Sequence, residues 1–144
     1  MNILITRPLM DAEDLMEKLF AYGHKIIHLP TLQISTVEIE IVNSDNFDAF
    51  VFTSTNAVRN LKLTNTNKNL HCFCVGSITE KIARQSGFIN TSSAGGTVNA
   101  LKNLIMISDK VNINSNLAYF CGDNISYDLD LELRREGFKI EKII

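Results

Sequence analysis

The chain has 144 residues, of which 14 are Lys or Arg and 16 are Asp or Glu, for a formal net charge of -2. A length of this order holds one domain, or one domain and a fragment of another. With 45% hydrophobic and 21% charged residues and only two Pro, the composition is that of a globular protein and excludes disordered and collagen-like chains.

Along the chain, Ile3-Leu4-Ile5 predicts a short strand ended by Pro8, after which Ala12, Leu15, Met16, Leu19 and Phe20 recur at helical spacing. They predict a packed helix, stopped by Gly23. Lys25 to Leu29 reads as a second strand, stopped by Pro30, and Leu32 to Val42 alternates apolar and polar residues like an extended connector. Ala49-Phe50-Val51-Phe52 is a continuous apolar run of the kind buried on both faces of a parallel sheet. Thr53-Ser54-Thr55-Asn56 then supplies capping residues for a helix carrying Ala57, Val58 and Leu61. The next unit repeats this order: a strand from Leu70 to Val75, a turn at Gly76-Ser77, a helical stripe of Ile78, Ile82 and Ala83, and a stop at Gly87. A strand from Phe88 to Thr91, the turn Ala94-Gly95-Gly96 and a helix with Val98, Leu101, Leu104 and Ile105 make a third unit. Leu117 to Cys121, then Gly122-Asp123-Asn124 and a helix with Ile125, Leu129 and Leu133, make a fourth, and Phe138 to Ile144 follow as a last strand. Strands separated by helices of this length form a parallel sheet with helices on both faces, so the predicted class is α/β. The asparagine-rich stretches 65–69 and 112–116 read as polar loops.

Ligands of open α/β sheets bind at the strands' carboxyl edge. Thr6-Arg7, Thr53 to Asn56, Ser77 with Thr79, Ala94 to Thr97 and Gly122 to Asn124 all fall at strand-to-helix junctions. Unpaired backbone N–H groups, helix dipoles and short hydroxyl and amide side chains there suit a ligand bearing several carboxylates or phosphates. The same residue types are also ordinary helix caps, so each junction by itself is better accounted for by capping alone than by ligand contact.

Other chemistries lack their residues. There is no G-x-G-x-x-G after the first strand and no G-x-x-x-x-G-K-[ST]. A phosphoreceiver site needs clustered carboxylates at the carboxyl edge, whereas Asp48 stands at the other end of its strand. His24, His28 and His71 have no metal-ligand partner at helical or hairpin spacing and read as surface or packing residues. Glu38 and Glu40 read as a solvated edge. Cys72, Cys74 and Cys121 are an odd set in a chain without an export signal and read as reduced, buried thiols. A charge near zero with no basic stripe argues against nucleic acid and anionic membranes as partners. The N-terminus has no basic start or cleavage site, and no apolar run approaches the ~20 residues of a membrane span, so the chain is expected in the cytoplasm.

Ile3-Leu4-Ile5-Thr6-Arg7-Pro8, Phe52-Thr53-Ser54-Thr55-Asn56-Ala57-Val58, Val75-Gly76-Ser77-Ile78-Thr79, Ser86-Gly87-Phe88 and Phe120-Cys121-Gly122-Asp123 stand in this order and spacing. The ordered set resembles the uroporphyrinogen-III synthase family. The resemblance implies two similar α/β domains joined by a two-stranded ladder: here residues 1–35 as a partial first domain, 36–137 as a complete second domain and 138–144 as the start of the returning linker strand. It implies a reaction that closes the linear tetrapyrrole hydroxymethylbilane into a ring and inverts the fourth pyrrole, with no cofactor and no metal. It also implies that Ser54 and Thr79 line the substrate cleft, with Thr53, Asn56 and Ser77 beside them. Arg7 matches the family's Thr-Arg-Pro opening, in a structural role or in substrate contact.

Family members are longer, and their tyrosine proposed to assist loss of the hydroxyl follows the strand that ends here at Ile144. Tyr119, in a strand, and Tyr127, expected in a helix, do not match it. The 144 residues are therefore expected to be an incomplete synthase whose remainder lies in a complementary C-terminal fragment, with the apolar stripe of the first helix covered by self-association, by that fragment or by repacking on the second domain. The alternative is a non-catalytic α/β remnant or a small-molecule binding module.

Overall fold

The computed structural model describes residues 1–36, 43–61 and 67–144. Contacts divide the chain into two compact units, Met1–Thr36 and Val37–Ile144. Glu38, Glu40 and the later part of the connector expected over 32–42 lie outside the described residues, as do Asn65 and Thr66.

The first unit is strand, helix, strand. β1 (Asn2–Ile5) pairs in parallel with β2 (Lys25–His28), Asn2 opposite Lys25 through Ile5 opposite His28, and α1 (Leu9–Ala21) connects them. Pro8 precedes the first turn, where its fixed φ and missing N–H cost nothing. Gly23, at φ 79°, ends the helix: its N–H bonds the Phe20 carbonyl at 2.8 Å and the His24 N–H bonds Leu19 at 3.1 Å, the paired bonds of a Schellman turn. The predicted stripe is only partly buried. Ala12 is fully enclosed and Met16 and Leu19 are half-buried, but Leu15 and Phe20 are exposed. Two strands are too narrow a platform to cover the whole stripe. Leu4 and Ile27, opposite one another in the ladder, are also exposed.

The second unit holds one fully parallel sheet in the order β5-β4-β3-β6-β7. Its strands are β3 (Ala49–Phe52), β4 (His71–Cys74), β5 (Thr91–Ser93), β6 (Asn116–Phe120) and β7 (Lys139–Ile143). The helices are α2 (Thr55–Arg59), α3 (Ser77–Gln85), α4 (Val98–Ile107) and α5 (Leu129–Arg135). Residues 138–144, expected as the start of a returning linker, supply β7, which pairs with β6 from Lys139 opposite Asn116 to Ile143 opposite Phe120.

Strand alternation sorts the core into two layers. Ala49, Val51, Phe73, Leu117 and Tyr119 face Leu101 and Ile105 of α4 and Leu129 and Leu133 of α5. Phe50, Phe52, Cys72, Cys74, Ala118 and Phe120 face Val58 of α2 and Ala83 of α3. The second layer is aromatic: the Phe50 ring meets Phe47, Phe52, Phe88 and Phe120 edge-on, with centroids 5.1–6.4 Å apart.

Three expected elements shift. Ile78 is 71% exposed, and α3 packs through Ala83 and Ile82, as expected, with the buried Thr79 in place of Ile78. The strand expected over 88–91 is Thr91–Ser93, because the Phe88 N–H closes α3 on the Ala83 carbonyl at 3.2 Å and its ring fills the core. The last helix begins at Leu129, and Tyr127 lies in the turn before it. Asn124, Ser126 and Asp128 favour turns over helix interiors, and Ile125 packs on the core from the irregular segment.

Candidate functional site

The strand order places a topological switch point at the carboxyl edge. From β3 the chain winds outward through β4 and β5, then crosses back to lay β6 on the other side of β3. At such a reversal the two following connections diverge to opposite faces, the place where open α/β sheets bind ligands. Here Thr53 and Ser54 follow β3, and Cys121, Gly122 and Asp123 follow β6.

Three of the predicted residues gather at the first of these junctions. Thr53 Oγ1 shares a hydrogen bond of 3.2 Å with the Tyr119 hydroxyl. Ser54 is in extended conformation, and its Oγ accepts from the Asn56 N–H at 3.1 Å, capping α2. Asn56 sits in the first turn, and its carbonyl accepts from the Asn60 side chain at 2.9 Å. The neighbouring β4 junction supplies Ser77, which is exposed, and Thr79, which is 4% exposed on the same helical face as Ala83. Arg7 belongs to the other unit, where it is exposed and its carbonyl accepts from His28 Nε2 at 2.9 Å.

Two glycines shape the edge beyond β4 and β5. Gly96 has φ 90° and donates its N–H to the Val75 carbonyl at 2.9 Å. A Cβ on Gly76 would meet the Gly96 Cα at 3.4 Å, so the two loops run backbone against backbone. Thr97 follows and caps α4, its Oγ1 accepting from the Ala100 N–H at 3.2 Å.

Glu80 is a residue that sequence reasoning missed. In the first turn of α3, its Oε1 accepts from Thr91 Oγ1 at 2.7 Å and from Arg84 at 3.0 Å. Hydrogen bonds from Ser93 first and Thr91 second hold its carboxyl down at about 2, so it is ionised and fully engaged. Tyr119 was missed as well. Its hydroxyl is pushed up to about 12 by burial, which keeps it a neutral hydrogen-bonding group. The sequence signal for both was faint: an acidic residue early in a helix, and one tyrosine in strands otherwise rich in phenylalanine. Asp130, in the first turn of α5, is 6% exposed, and its Oδ1 is the one buried side-chain polar atom without a partner among the described residues.

The thiols are buried and protonated. Burial drives Cys74 up to about 12 and raises Cys72 and Cys121, so none is a thiolate nucleophile at neutral pH. His71 is engaged by Ser92 Oγ at 2.9 Å. Among the described residues no cluster of three or more His, Cys, Asp or Glu side chains could hold a metal ion, and no helix is long and apolar enough to cross a membrane. The edge thus carries hydroxyls, amides and backbone N–H groups, with the exposed Asp123 carboxylate after β6. Hydroxyl, amide and backbone N–H donors are the groups that can bind and orient an anionic ligand by hydrogen bonds.

The comparisons with known proteins agree with this architecture. The fold is similar to the crystal structure of the uroporphyrinogen-III synthetase from Helicobacter pylori 26695, with 20% identity and a TM-score of 0.59, covering 84% of this chain and 54% of that one. It is also similar to the native uroporphyrinogen III synthase of the extremely thermophilic bacterium Thermus thermophilus, with 17% identity and a TM-score of 0.53, covering 98% of this chain and 59% of that one. A mutant form of the Thermus thermophilus protein gives 14% identity and a TM-score of 0.57, with 99% and 60% covered. The chain therefore spans somewhat more than half the length of these relatives. No curated protein matches it. The model of the family described as uroporphyrinogen-III synthase HemD matches residues 13–144. With nearly all of its length matched and its parallel α/β fold shared, the chain belongs to the uroporphyrinogen-III synthase family.

Proposed function

We propose that this chain binds hydroxymethylbilane, a linear tetrapyrrole polycarboxylate, along the carboxyl edge of its five-stranded sheet and forms the larger part of a uroporphyrinogen-III synthase. The observation that carries the reading is the lining of that edge, where Ser54, Asn56, Ser77 and Thr97 stand at helix starts rich in backbone N–H groups. Thr53 and Thr79 support the same junctions from the protein side, and Arg7 is assigned to the shaping of the first unit's loop through its carbonyl bond to His28.

Ring closure with inversion asks for orientation more than for a nucleophile. Carboxylates bound to neutral donors hold the last pyrrole so that one of its carbons, and not the other, meets the reactive methylene. Well-held geometry of this kind supplies effective molarities of ~10⁵–10⁸ M. A lining that holds only part of the substrate gives up much of that advantage, so these 144 residues alone are expected to bind the bilane yet turn it over poorly. The exposed apolar side chains of Met1–Thr36, including Leu9, Phe20 and Ile27, favour a covering partner, either a complementary C-terminal segment or a second copy.

The test is a titration of the isotopically labelled chain with hydroxymethylbilane, followed by isomer analysis of the products. Amide shifts are expected at 53–56, 76–79, 95–97 and 121–123. Shifts confined to the opposite edge, around Asp48 and Asn116, refute the site. Clear production of the type III isomer by the chain alone refutes its incompleteness.

A further inference from the structure

We propose that the Tyr119 hydroxyl is a positioning group for the junction after β3: through Thr53 it sets the backbone that presents Ser54. The proposal rests on the reading of that junction as part of the tetrapyrrole site. Tyr119 is 1% exposed and shares its layer with Ala49, Val51, Phe73 and Leu117, where a phenylalanine would fill the same space without a hydroxyl to desolvate. A hydroxyl kept in such a place is kept for what it bonds. Its partners are Thr53 Oγ1, at 3.2 Å and 66 residues distant in the chain, and the Cys121 thiol just past the end of β6.

The geometry gives the bond leverage. The β3–β6 ladder ends at Phe52 opposite Phe120, so Thr53 is the first residue beyond the paired backbone. The Tyr119 ring is clamped between the sheet and the helices of its layer, and its hydroxyl spans from β6 to the connection leaving β3, across the switch point itself. Ser54 follows at once and turns its Oγ back onto the Asn56 N–H. Loss of the Tyr119 bond frees Thr53, and with it the orientation of Ser54, while the core keeps its ring.

Tyr119→Phe, Thr53→Val and the double variant, each in the full chain, test this with two readouts. In the absence of ligand, exchange of the Asn56 amide, which is bonded to Ser54, is expected to quicken about 2- to 10-fold in each single variant and no further in the double, the span set by one neutral hydrogen bond. Amides of α4 are expected to stay unchanged. In titrations with uroporphyrin III, an air-stable cyclic polycarboxylate, Kd is expected to rise by a similar factor in both single variants, again without addition in the double, alongside a small fall in melting temperature from the lost buried bond. A merely structural tyrosine would shift melting and leave Kd alone, and that result overturns the proposal. Unchanged Asn56 exchange in Tyr119→Phe, or additive effects in the double variant, also overturns it. Failure of the unmodified chain to bind uroporphyrin III counts against the tetrapyrrole reading, and the exchange measurement then decides the positioning role by itself.

Discussion

Replacing Glu80 with Gln measures how the N-terminal end of α3 is held to the edge of the sheet. The Glu80 carboxylate accepts from Thr91 Oγ1 at 2.7 Å, from Arg84 at 3.0 Å and from Ser93, joining the first turn of α3 to β5. Lowering its pKa from 4.5 to about 2 corresponds to ~3 kcal/mol in favour of the ionised native form. The side chain is 20% exposed and its Arg84 partner 55%, so solvent screening reduces that figure. The amide also keeps one acceptor for Thr91. The expected loss for E80Q at neutral pH is therefore ~1–2 kcal/mol. The pH dependence follows from the direction of the displacement. The unfolded carboxyl binds its proton near 4.5 and the native one near 2, so the stabilisation is complete above about 4.5 and is lost as pH falls toward about 2. Urea denaturation of both proteins across this range is the assay. The gap between them should be constant from neutral pH down to about 5 and close below it. Equal stability at neutral pH, or a gap that persists unchanged to the acid end, refutes the reasoning.

Phe50→Ala should cost ~3–5 kcal/mol in urea titrations, because a fully buried ring touching Phe47, Phe52, Phe88 and Phe120 leaves a cavity that strands on both sides cannot close. Gly96→Ala should lower stability by ~1–2 kcal/mol, since φ 90° is left-handed backbone, and should reduce tetrapyrrole affinity at the β5 junction by isothermal titration; a neutral effect on both would show that the loop re-forms elsewhere in φ, ψ space. Phe20→Asp, at a position 75% exposed, should leave the free energy of unfolding in urea within ~0.5 kcal/mol of the parent yet remove concentration-dependent association in sedimentation; a constant monomer mass for both chains counts against self-association through the first unit.

The order of strands and helices was legible because each core strand of the second unit is a short apolar run closed by turn residues. Ala49–Phe52 is buried along its whole length, and Gly23 and Gly87 stop their helices in left-handed conformation. The class, the parallel direction and the clustering of Ser54, Asn56 and Ser77 at one edge follow from that alternation, since right-handed crossovers leave every strand-to-helix junction on the same side. Local pattern could not decide which apolar residues turn inward. Ile78 faces water and Thr79 the core because helix phase is fixed by the sheet that α3 lies on, and Leu15 and Phe20 stay exposed because only two strands lie beneath α1.

Pairings distant in sequence were beyond reach in the same way. Tyr119 meets Thr53 only because β6 returns to lie beside β3, and Glu80 meets Thr91 and Ser93 only because β5 forms the edge next to β4. A residue's type and its neighbours along the chain fix its strand or helix, whereas the partner of a buried hydroxyl or carboxylate is fixed by strand order. The sequence by itself determined an α/β chain with a polar carboxyl edge. The tertiary structure decided which side chains at that edge are held, and by what, because those hydrogen bonds exist only once the sheet has closed its order.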